Sequence, residues 1–78
     1  MQISEKEFLF HARHEIDYLN TKYELDIPEG EYHTLGGFIL AFHEDIPSKG
    51  EKINIERFQF TIEKVSGAKI EEVKMMIV

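Results

Sequence analysis

The 78-residue sequence predicts an α+β fold, a small antiparallel sheet of three to four strands with two helices packed on one face. Three observations carry that expectation. Leu35, Phe38, Ile39 and Phe42 fall at i, i+3, i+4 and i+7, the apolar stripe of an amphipathic helix. Phe58, Phe60 and Ile62 alternate with Gln59, Thr61 and Glu63, the period of a half-buried strand. Helical signals lie in the front half and strand signals dominate the back half, a segregated order rather than a repeating βαβ one.

The elements follow in chain order. Residues 7–13 put Phe8, Phe10 and Ala12 on one strand face. Residues 15–23 put Ile16, Leu19 and Tyr23 at i, i+3 and i+7, a two-turn helix too short to persist unless it docks. Residues 24–33 read as a loop broken by Pro28 and Gly30, with Leu25 and Ile27 pinning it to the core. Thr34 is an N-cap, its hydroxyl able to accept from a free N–H of the next turn. The helix it opens must stop before Pro47, because the residue preceding a proline avoids the α region. Pro47-Ser48-Lys49-Gly50 is a turn.

Ile53 and Ile55 make a short strand face, and Glu56-Arg57 leave a two-residue connection to the next strand. Neither residue favours a positive φ, which makes the turn type unusual. Ser66-Gly67 is a better turn. The last strand carries Ile70, Val73, Met75 and Ile77, and the parity switch between Ile70 and Val73 marks a bulge or an irregular start. Phe38, Phe42, Phe58 and Phe60 read as core. The C-terminal run Met75-Met76-Ile77-Val78 reads as a strand covering an edge or a partner, including a second copy of the chain. Residues 1–6 are expected to be a flexible tail or an expression remnant, and residues 7–78 the domain.

Composition narrows the function. Nine basic residues stand against fifteen acidic ones, a net charge of −6, which weighs against a phosphate-neutralising nucleic-acid surface. There is no cysteine, hence no disulfide and no thiolate metal site. The longest apolar run, Phe38 to Phe42, is far short of the roughly 20 residues that span a bilayer, so this segment is expected not to insert directly. Met1 to Glu7 lack the pattern of a secretory signal.

Reactive chemistry is sparsely represented. Ser4, Ser48 and Ser66 fall in a tail and two turns, outside any nucleophile-elbow context, and no catalytic residue is assigned. His11 and His14 are three apart, but the strand reading of His11 separates them. His33 and His43 flank the second helix, and Glu24, Asp26, Glu29 and Glu31 crowd the loop before it. Their spacing fits neither a calcium loop nor a zinc motif, so no metal ligand is assigned.

Gly36-Gly37 is the most informative local feature. Glycine in a helix interior costs ~1 kcal/mol against alanine, so a pair needs a reason. Bare backbone allows a helix to lie close on a strand. Alternatively, N–H groups at a helix start bind an anion, which makes Thr34, Gly36 and Gly37 candidate cofactor-binding residues.

Thr34-Leu35-Gly36-Gly37-Phe38-Ile39-Leu40, then Ile46-Pro47, Gly50-Glu51, Phe58-x-Phe60-x-Ile62-Glu63-x-Val65 and Ile70-Glu71-x-Val73, closely resembles the transporter-associated (CorC/HlyC) domain. Ile16-Asp17-x-Leu19-Asn20 and Leu25-Asp26-Ile27-Pro28 resemble that family's first helix and following loop. Ala12 stands where the family often has glycine, and His33 where it is often acidic. The resemblance implies a fold similar to a subdomain of PCMH-type FAD-binding proteins. It also implies a cytoplasmic accessory or regulatory domain at the membrane, following transmembrane and CBS modules in magnesium and cobalt efflux or hemolysin-like proteins. Such a domain acts through domain or dimer contacts, without known catalysis. The alternative is a small-ligand module that takes FAD, an adenine nucleotide or a divalent cation at Thr34 to Gly37.

Overall fold

The computed structural model describes all residues, Met1–Val78. Its elements are β1 (Glu7–His11), α1 (Ile16–Tyr23), α2 (Leu35–Phe42), β2 (Lys52–Ile55), β3 (Phe58–Ser66) and β4 (Lys69–Ile77). The four strands form one sheet in the order β1-β4-β3-β2, with every neighbouring pair antiparallel. The predicted class is therefore met, with the larger of the two strand counts.

Alternation decides which face is covered. Phe8 and Phe10 from β1, Ile53 and Ile55 from β2, Phe58, Phe60 and Ile62 from β3, and Val73 and Met75 from β4 are all buried. They join Ile16 and Leu19 of α1 and Leu35, Phe38 and Ile39 of α2 in one core cluster of 18 residues. Edge-on aromatic contacts tie the layers: Phe38 to Phe60 at 6.0 Å and Tyr23 to Phe8 at 5.3 Å between ring centroids. The opposite sheet face carries half-buried or exposed side chains, among them the Lys74–Glu7 ion pair at 3.2 Å.

The expected parity switch is real and is shared by two strands. Buried positions run 58, 60, 62 on β3 and 70, 73, 75 on β4, and the pairing shifts register around Lys64 before Val65 meets Ile70. The Glu56-Arg57 hairpin closes with Ile55 opposite Phe58, and Glu56 takes φ +53°. The Arg57 guanidinium also donates to the Leu25 carbonyl, which fastens the 24–33 loop to this turn.

One expectation needs correction, the burial of Phe42, and two segments gain detail. The C-terminal strand lies inside the sheet: β4 sits between β1 and β3, so both of its backbone edges are paired. Residues 1–6 turn back on β1, with the Leu9 N–H donating to the Met1 carbonyl at 2.8 Å and Ile3 N–H to the Glu7 carbonyl at 2.7 Å. An unpaired edge strand attracts any segment able to complete its hydrogen bonds. Phe42 is 55% exposed rather than core. It is the last residue of α2, its ring resting on Phe38 at 5.3 Å between centroids.

The 24–33 loop is also clamped from α1 by Asn20. Asn20 donates to the Ile27 carbonyl at 3.0 Å and accepts from the Ile27 N–H at 2.8 Å, which seats Leu25 and Ile27 in the core. Truncation would orphan both backbone groups, so Asn20→Ala should lower the unfolding free energy by about 1–3 kcal/mol in urea titration. An unchanged midpoint would show that water replaces the amide without cost.

Candidate functional site

The start of α2 is built by a short backbone ladder. Gly36 N–H donates to the Ala12 carbonyl at 2.8 Å, Leu35 N–H to the His14 carbonyl at 2.9 Å, and Ile16 N–H to the His33 carbonyl at 2.8 Å. Ala12 N–H in turn donates to the Glu71 carbonyl of β4 at 2.8 Å. Ala12 thus links the sheet to α2 through both of its backbone groups.

The glycine pair is explained by this approach. A Cβ at Gly36 would sit 3.2 Å from the Ala12 Cβ and 3.4 Å from its carbonyl oxygen. Neither atom is free to move, because the Ala12 backbone is bonded on both sides. A Cβ at Gly37 would meet the Thr34 hydroxyl at 3.3 Å and Tyr32 Cβ at 3.4 Å, the capping side chain and its support. Gly36→Val should therefore destabilise the chain by about 1–3 kcal/mol, the usual cost of overpacking. Thermal unfolding with intact far-UV dichroism below the transition measures it, and a midpoint equal to the parent's would contradict the close-packing account.

The same ladder uses up the donors that an anion would need. Thr34 accepts from Gly37 N–H at 3.1 Å through its hydroxyl and from Phe38 N–H at 2.9 Å through its carbonyl. With Leu35 and Gly36 N–H already bonded, all four leading N–H groups of α2 have partners within the chain.

Thr34, Gly36 and Gly37 are nevertheless brought to one place. They line a half-open groove of about 380 Å³ between α2, the chain after β1 and the β3–β4 turn. Its floor is Ala12, Leu40 and Ile70, and its rim carries Arg13 and Lys69. Sequence reasoning missed the two cations, because only the fold brings residues 13 and 69 together.

The histidines are dispersed. His14 stacks on Tyr18 at 5.5 Å, and burial, helped by the charge of His11, lowers its pKa. His33 lines a separate cleft of about 200 Å³ with Glu15, Asp17 and Glu29. No group of three or more His, Asp or Glu side chains is placed to hold a metal ion.

His43 closes the 43–51 turn. Its Nδ1 lies 2.6 Å from the Asp45 carbonyl and its Nε2 2.8 Å from Glu51, whose other oxygen accepts from Ser48 N–H at 3.0 Å. A carbonyl and a carboxylate can only accept, so both ring nitrogens must donate, which requires the imidazolium. The Asp45 carbonyl and then Glu51 accordingly raise the His43 pKa, and the Ser48 N–H and then His43 lower that of Glu51.

The sign follows from linkage. A raised histidine pKa gives stability that is full below its unfolded value and lost as pH rises through its folded value. A lowered glutamate pKa gives stability present above its unfolded value and lost as pH falls through its folded one. His43→Gln should therefore cost stability near pH 6 and cost little at pH 9. Paired thermal melts at the two pH values check this, and equal shifts at both would show that the imidazolium contributes nothing.

The fold and this site define a class: a small α+β domain whose best-marked residues are committed to its own packing. The comparisons give the family. The family model described as the transporter-associated domain, CorC_HlyC, matches residues 1–78, and the chain belongs to that family. It is 28% identical over 76 residues, 97% of its length, to the magnesium and cobalt efflux protein CorC of Buchnera aphidicola subsp. Acyrthosiphon pisum. It is 33% identical over 70 residues, 87% of its length, to hemolysin C of Brachyspira hyodysenteriae. The chain spans 26% of the length of each of these relatives. Among solved structures it is similar to the CorC_HlyC transporter-associated domain from Nitrosomonas europaea, with a TM-score of 0.83 at 26% identity, covering 100% of this chain and 94% of that one.

Proposed function

We propose that this chain is a regulatory docking domain of a membrane ion transporter of the magnesium and cobalt efflux type, working on the cytoplasmic side. The observation that carries the reading is where the family-marking residues go. Thr34 caps α2, Leu35 is fully buried, Gly36 lies on Ala12, and Asn20 clamps Ile27. These residues serve the scaffold, which leaves its surfaces to do the work. A docking domain biases a larger protein by binding one arrangement of its neighbours more tightly than another. The neighbours that the family implies are transmembrane and CBS modules of a longer chain, or a second copy of the domain.

A small ligand at Thr34, Gly36 and Gly37 is the second reading, favoured by the groove that these residues line. FAD or an adenine nucleotide would place phosphates there, yet every leading N–H of α2 already has a partner. The residues present therefore do not fit a phosphate-bearing cofactor held by that helix start, and a divalent cation has no cluster of carboxylates or imidazoles beside it.

The test uses the longer protein that carries this chain, reconstituted in proteoliposomes with and without residues 1–78. Removal should leave magnesium movement in place and shift its half-saturation by about 5-fold or more, the low end of an ordinary coupling energy. Unchanged half-saturation and rate would overturn the regulatory reading.

A further inference from the structure

We infer that the groove beside α2 docks an acidic polypeptide segment, which lays one aliphatic side chain on the groove floor and sets carboxylates against Arg13 and Lys69. The inference rests on the docking reading above and adds the place and the chemistry of the partner.

Charge is the first ground. The chain carries fifteen acidic residues against nine basic ones, yet no Asp or Glu lines this groove. Arg13 and Lys69 take part in none of the three ion pairs, which use His43, Lys64 and Lys74. Glu71, two positions past Lys69, pairs with Lys64 instead. The first turn of α2 has no acidic residue either, so no carboxylate offsets the positive end of its dipole where it borders the groove. Two full positive charges and a partial one thus face an opening in an otherwise acidic molecule.

The floor is the second ground. Ala12, Leu40 and Ile70 are aliphatic, and Gly36 and Gly37 line the groove beside them. Leu40 is 36% exposed, so an aliphatic side chain seated there would cover apolar surface that is now wet. An apolar floor with cations on its rim fits a leucine-like anchor flanked by carboxylates.

Other occupants fit less well. A nucleotide finds no free N–H at the helix start. A second copy brings a like net charge of −6, which opposes the approach of the two whole surfaces, and Leu25 and Ile27 of its acidic loop are buried; its exposed Ile46 beside Glu44 and Asp45 is the competitor that the peptide-free arm below detects.

The experiment is an amide-resolved NMR titration of this chain. The probe is a capped pentapeptide with leucine between two pairs of glutamates. Matched peptides carry lysines for the glutamates or serine for the leucine. Saturable shifts at Ala12, Gly36, Gly37 and Ala68 are expected with the acidic leucine peptide alone. The charge-reversed chain, Arg13→Glu with Lys69→Glu, should bind about tenfold more weakly, and both sites are exposed, so its fold should persist. Equal response to the lysine peptide, shifts centred elsewhere, or no response would overturn the inference. So would peptide-free, concentration-dependent shifts at the same amides, which would make a second copy the occupant. None of these outcomes touches the proteoliposome result, so docking at this groove and regulation by the domain fail separately.

Discussion

The contact between Ala12 and Gly36 is the constraint on which the rest of the molecule depends. Ala12 is bonded to β4 through its N–H and to α2 through its carbonyl, and its methyl sits where a Gly36 side chain would go. One residue therefore sets the height of α2 above the sheet. Phe38 can then reach Phe60, and Leu35 and Ile39 can close over the core with no exposed surface. A helix of eight residues has too little cooperativity to stand alone. It persists because its first turn is tied to two other segments and its apolar face is fully used.

How legible this was depends on the range of the interaction. Thr34 as a cap, the buried Leu35, Phe38 and Ile39, and the alternation of Phe58, Phe60 and Ile62 were readable because each is a local pattern with one physical meaning. The β1–β4 pairing was not, since nothing in residues 7–11 says which strand they join. For the same reason the strands that Met75 to Val78 would cover stayed open. Phe42 shows another limit: helical spacing places it on the apolar stripe, but periodicity cannot tell where the covered surface ends. The glycine pair was legible as an anomaly, and its cause became clear only when Ala12 was seen beneath it.

The candidate site was half legible. Thr34, Gly36 and Gly37 do line one groove, yet the reason for naming them, free N–H donors, fails because the ladder to Ala12 and His14 consumes those donors. Arg13 and Lys69, far apart in sequence, supply the positive charge in their place. Likewise His43 and Glu51 gave no sequence signal, since an eight-residue separation across an irregular turn has no period to betray it.

Packing and surface meet at the α2 start. The missing side chain at position 36 lets the helix approach Ala12, and both glycines line the groove beside Leu40 and Ile70. Committing the N–H groups to the ladder takes away point donors but not the helix dipole, whose field remains and is reinforced by Arg13 and Lys69. A surface with diffuse positive potential and few fixed donors discriminates poorly among small anions, which need directed hydrogen bonds for affinity. It suits an extended partner, where several weak charge contacts and one buried side chain add up and release readily. That balance is what a domain that shifts an equilibrium requires, because a partner held too tightly in every state would shift nothing.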